Sequence, residues 1–147
     1  MSVNAVLKIK CQFKENHIAD LLELFEASKW NFYDSDGYVM YLPFKDNGMY
    51  NWKNEILEKA NVVDVLECKE KNEEIIGIVF YRENTDIGVT MLKNDFQEIF
   101  LSLDINRKKI TADDFKSETD VTWYIKNIIV ELKKHGAIIE SYLFEEY

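Results

Sequence analysis

The chain has 147 residues, 47% of them hydrophobic and 31% charged, with 27 acids against 18 bases and a formal charge of −9. That length suits one domain with a genuine core, and the composition excludes a wholly disordered chain. The acidic balance, with Arg82 and Arg107 as the only arginines, argues against direct nucleic-acid binding, which needs a basic face.

Residues 5–13, AVLKIKCQF, alternate in polarity, with Leu7, Ile9, Cys11 and Phe13 on one face, and so predict a half-buried strand. Ile18, Leu21, Leu22 and Phe25 follow at helical spacing and predict an amphipathic helix from about Glu15 to Ser28, with Asn16 as its N-cap. WNFY and YVMYL then flank DSDG, whose Asp36-Gly37 pair suits a tight turn. The expectation is a β-hairpin of residues 30–34 and 38–43, closed by Pro43. A second helix is expected from about Tyr50 to at least Lys59, running on to Glu67 if the stripe Trp52, Ile56, Ala60 and Val63 is helical. VVDVL also reads as the start of a strand.

EIIGIVFYR, DIGVTMLK and FQEIFLSLDI are joined by short polar turns and predict a three-stranded antiparallel meander. A charged loop, NRKKITADDFKSE, precedes a third helix capped by Ser117 or Thr119 and buried through Val121, Tyr124, Ile125, Ile128 and Leu132. Gly136 ends it, and AIIESYLFEE forms the last strand. The expected fold class is α+β: a single domain over residues 1–147, mainly antiparallel sheet with about three helices packed on one face. The order is β-α-β-β-α-β-β-β-α-β.

Chemical motifs are sparse. His17 and His135 lie on different helices and form no metal set with Cys11 or Cys68, so no metal ligand and no cofactor are expected. DSDG has its glycine too early for a calcium loop, and no glycine-rich phosphate cradle occurs. Both cysteines fall on expected apolar faces, where thiols are inert and a disulfide scaffold is not indicated. The adjacent pairs Asp113-Asp114 and Glu145-Glu146 point opposite ways on extended chain and read as solvated charge. The expectation is therefore no enzyme. No apolar run reaches the length of a membrane span, and the first residues do not read as a secretory signal, so a cytoplasmic setting is expected. Abundant lysine, isoleucine and asparagine beside one proline point to an AT-rich, bacterial or viral genome.

The unusual stretch is WNFYDSDGYVMYLPFKDNGMYNW, residues 30–52, with eight aromatic rings, three aspartates and one lysine. Core packing accounts for the rings; a partner-binding face accounts for rings and acids together. Tyr33, Asp34, Asp36, Asp46, Tyr50 and Trp52 are the expected contact residues for a partner with a basic surface. The WNFYDSDGYVMYL segment, the FQEIFLSLDINRK strand and the TDVTWYIKNIIVEL helix together resemble the immunity proteins of bacterial polymorphic toxin systems, in particular those paired with LXG-type toxins. That resemblance implies a cytoplasmic antitoxin that occludes the effector domain of a cognate toxin, often a nuclease. A small regulatory or phage-encoded homo-oligomeric ligand-binding domain is the alternative, and a carboxylate-based enzyme a more distant one.

Overall fold

The computed structural model describes residues 4–94, 97–110 and 118–147. Among them the strands are β1 (Ala5–Gln12), β2 (Trp30–Asn31), β3 (Val39–Tyr41), β4 (Lys53–Glu55), β5 (Ile76–Arg82), β6 (Gly88–Lys93), β7 (Glu98–Ile105) and β8 (Ile138–Glu146). They form one eight-stranded sheet in the order β4-β3-β5-β6-β7-β1-β8, with β2 also on β5, and every pairing is antiparallel. The helices are α1 (Ile18–Ala27), α2 (Lys59–Lys71) and α3, residues 121–134. The chain is a single-domain α+β fold in the expected element order, with one short strand, β4, added before α2.

The sheet has two unlike faces because its strands alternate. Leu7 and Ile9 pair across the sheet with Leu101 and Ile99, and these four and Cys11 are buried under the helices, while their β8 partners Phe144, Tyr142 and Ile139 are only partly covered or exposed. Ile78, Phe80, Val89 and Met91 continue this core layer. Phe25 of α1 stacks on Phe80 with ring centroids 4.3 Å apart. Such a pair contributes about 0.5–1.5 kcal/mol beyond area burial. Trp30 is wholly buried, and its indole N–H donates to the Asn127 carbonyl of α3 at 2.8 Å. At this point α3 widens into a π-helical stretch, Ile125–Val130, between α turns Val121–Tyr124 and Glu131–Lys134.

Several local expectations are corrected. The two strands flanking DSDG do not pair with each other. Trp30 and Asn31 pair with Arg82 and Tyr81, while Tyr41 pairs with Ile78. They are two pieces of one interrupted strand along β5, and DSDG is the turn of the loop between them. The second helix begins at Lys59, not Tyr50, because Tyr50 has φ +55 and residues 53–55 pair with β3. Its buried stripe is Val62, Leu66 and Lys69, while Ile56 stands 69% exposed. Asn16 does not cap α1: its side chain accepts from the Phe13 N–H, and the Ile18 N–H is taken by Glu70 of α2 at 2.8 Å. Asp120, not Thr119, caps α3 by accepting from the Trp123 N–H; Ser117 and the Asp113-Asp114 pair lie outside the described residues. Cys11 is buried as expected, but Cys68 is exposed.

Candidate functional site

The helices cover one face of the sheet. The opposite face carries the alternate residues: Val6, Lys8 and Lys10 of β1, Gly77, Val79 and Tyr81 of β5, Thr90 and Leu92 of β6, and Phe100, Ser102 and Asp104 of β7. One end of this open face is roofed by residues 42–52, the later part of the aromatic–acid stretch. Gly77 is the seat of that strap. A methyl group there would stand 2.7 Å from Leu42 Cδ1 and 2.8 Å from Trp52 Cη2, so the missing side chain is what lets both rest on the sheet.

Buried polar contacts fasten the strap. Asp46 is 8% exposed and its two carboxylate oxygens accept the N–H groups of Tyr50 and Asn51 at 2.8 and 2.9 Å. Lys69 of α2 is 1% exposed; its ammonium donates to the Pro43 carbonyl at 2.7 Å and to Glu74 Oε1 at 3.2 Å. Glu74 in turn accepts from the Lys45 N–H. A buried lysine without such acceptors would carry a large desolvation cost.

Beyond the strap the face is partly apolar. Tyr50, Leu92, Phe100, Val6 and Tyr147 line a groove of about 290 Å³, with Lys8 and Ser102 in its wall. Tyr50 is 48% exposed and Tyr147 72%. At the far end Tyr81 lies against Gly88, and its hydroxyl pKa is raised by burial and by the nearby carboxylates of Asp34 and Asp104. Asp34, from the DSDG loop, and Asp104, from β7, thus both act electrostatically on Tyr81. Asp34 Oδ1 accepts the N–H groups of Asp36 and Tyr38, and Asp104 accepts from Thr90 Oγ1. Among the described residues neither these aspartates nor Asp36 has an ion-pair partner.

The six residues expected as contacts thus divide. Asp34, Asp36 and Tyr50 present polar groups or ring surface to solvent around the open face. Asp46 and Trp52 build the strap beneath them. Tyr33 packs against the helical core, and its hydroxyl donates to the Leu57 carbonyl at 2.8 Å. Tyr81, Phe100 and Asp104 were missed from sequence. The alternation that marks Ile99, Leu101 and Leu103 as core also marks Phe100 and Asp104 as facing the other way, and that was the available signal.

Among the described residues no group of three or more His, Cys, Asp or Glu side chains could hold a metal ion. Burial raises the Cys11 thiol to about 11, far from a nucleophilic thiolate. Among the described residues no helix is long and apolar enough to cross a membrane. No protein-family model, curated protein or solved structure matches the chain.

Proposed function

We propose that the protein is a non-enzymatic binding protein that neutralises a cognate bacterial toxin, as immunity proteins do, by laying the open face of its sheet over a basic active site in the toxin's effector domain. One observation carries this reading: a strand face free of helices combines a ring-lined groove with aspartates that have no ion-pair partner among the described residues. Exposed tyrosines bury area while keeping a polar handle. Unpaired carboxylates steer a cationic partner and take positions that substrate phosphates would occupy. The contact set becomes Asp34, Asp36, Asp104, Tyr50, Tyr81 and Phe100, with Asp46 and Trp52 holding the strap. The setting is the cytoplasm of the toxin-producing cell.

The test is co-expression with the product of the adjacent gene in a host that this product poisons. Growth should be restored by the wild-type chain and lost with Asp34→Asn/Asp36→Asn/Asp104→Asn. A harmless neighbouring product, or poisoning that proceeds equally with the protein present, would defeat the reading.

A further inference from the structure

The sheet ends on two edges of opposite character. β4 is three residues long, Lys-Asn-Glu, which is the short, charged form that discourages further pairing. β8 is nine residues long and contains neither proline nor lysine. Ile138 is 65%, Leu143 53% and Tyr142 44% exposed. Among the described residues no strand pairs with its far side.

The hydrogen-bond phase of β8 follows from its end. Asn4 and Tyr147 exchange both backbone bonds, at 2.7 and 2.8 Å. Bonded and non-bonded pairs alternate in an antiparallel ladder. Glu145, Leu143 and Ser141 therefore turn their N–H and C=O groups toward Val6, Lys8 and Lys10, with which they are in register. Tyr142, Phe144 and Glu146 turn theirs outward.

Two of the three carboxylates on this edge are paired with lysines and the third is held by a backbone N–H. Glu145 sits 3.0 Å from the Lys8 ammonium, Glu140 lies 3.8 Å from that of Lys10, and Glu146 accepts from the Thr119 N–H. A basic peptide would find carboxylates without an ion-pair partner among the described residues away from this edge, on Asp34, Asp36 and Asp104. An edge that exposes Ile138, Tyr142 and Leu143 and has two of its three carboxylates paired with lysines of β1 fits another copy of itself, even in a chain of charge −9.

We propose that β8 is the site of homodimerisation: two copies pair antiparallel, edge to edge, about a two-fold axis at Phe144, making one continuous sheet. This register uses only the regular part of β8, clear of the irregularity between Lys10 and Cys11. Phe144 meets its own copy, Tyr142 exchanges bonds with Glu146, and Leu143 stands opposite Glu145. No glutamate directly faces a glutamate. The half-buried Phe144 rings carry the core layer across the junction. Because the axis is perpendicular to the sheet, both open faces lie on the same side. A closed isologous pairing of this kind also removes the exposed edge.

Sedimentation equilibrium at high micromolar concentration should give about twice the 17.4 kDa chain mass. Tyr142→Pro removes an N–H that β1 does not use, so it should give a monomer with unchanged far-ultraviolet circular dichroism. Leu143→Glu, which sets a charge against Glu145 of the second copy, should do the same. Hydrogen exchange on the wild type should show protected amides at Tyr142, Phe144 and Glu146. A wild type that stays monomeric, rapid exchange at those three amides, or a dimer indifferent to both substitutions overturns the proposal. The growth test of toxin neutralisation is scored separately and does not depend on it.

Discussion

The Lys69 ammonium and the Pro43 carbonyl oxygen lie 2.7 Å apart in a site where Lys69 is 1% exposed. This contact ties α2 to the strap that roofs one end of the open face, with Glu74 completing the pair. Lys69→Met keeps much of the side-chain volume and removes the donor. Leaving the half-buried carbonyl and carboxylate without it should cost about 1–3 kcal/mol. Denaturant unfolding measures the loss, and hydrogen exchange should quicken over residues 44–51. Unchanged stability and exchange would mean that the strap is held by other contacts.

Gly77→Ala tests the seat of the strap. The new methyl collides with Leu42 and Trp52 at 2.7–2.8 Å, so one or both must lift. The expected cost is about 1–3 kcal/mol, in the range of overpacking. Trp52 should become more exposed, seen as a red-shifted emission that is absent when the same change is made in a Trp52→Leu background. An unaltered emission and melting temperature would show that the sheet surface tolerates the extra carbon.

The two thiols should differ. Cys68 is exposed, whereas Cys11 is buried with its pKa pushed up to about 11. In the native protein at pH 8 a thiol reagent should modify Cys68 and spare Cys11, and both should react after unfolding. Rapid native modification of Cys11 would place it nearer solvent than the core assignment allows.

Alkaline stability should depend on Tyr41. Burial, then its hydrogen bond to Glu55 at 2.9 Å, raises its pKa from 10.0 to about 12. A raised folded-state pKa means that the unfolded chain releases the proton first as pH climbs. The stabilisation is therefore complete below pH 10 and is lost between about pH 10 and 12. Tyr41→Phe should flatten that part of the stability profile, read by denaturant unfolding at each pH. A profile as steep as the wild type would put the loss elsewhere, with Tyr81 and Tyr124, also raised by burial, the next residues to examine.

Much of the frame was legible in the chain. Alternation marked β1 and β7 because each has one face in the core and one facing away from it. Helical spacing marked α1 because Ile18, Leu21, Leu22 and Phe25 all bury. The second helix misled at its start: Trp52 and Ile56 have helical spacing, yet one lies on the sheet and the other is exposed. The positive φ of Tyr50 that breaks the pattern has no proline or glycine to announce it. The DSDG turn was readable from local chemistry, but the strand beside it was not. Pairing with β5 depends on residues roughly forty to fifty positions later.

The site was half legible for the same reason. Composition alone drew attention to the rings and acids of residues 30–52. It could not separate Asp46, which spends its carboxylate on two backbone N–H groups, from Asp36, which remains exposed. Nor could it relate Asp104 to Asp34, since seventy residues separate them and only the folded sheet lets both act on Tyr81. Phe100 alternates with Ile99 and Leu101, and its register with Lys8 and Leu92 sets it on the open face.

Growth of a host expressing the adjacent gene's product is the most direct measure of the central claim. With the wild-type chain present, growth should return to that of cells without the toxin, and neutralising Asp34, Asp36 and Asp104 together should abolish the rescue while the variant stays folded. Full rescue by the neutralised variant would contradict a role for this acidic, ring-bearing face, and no rescue by the wild type would contradict the antitoxin reading itself.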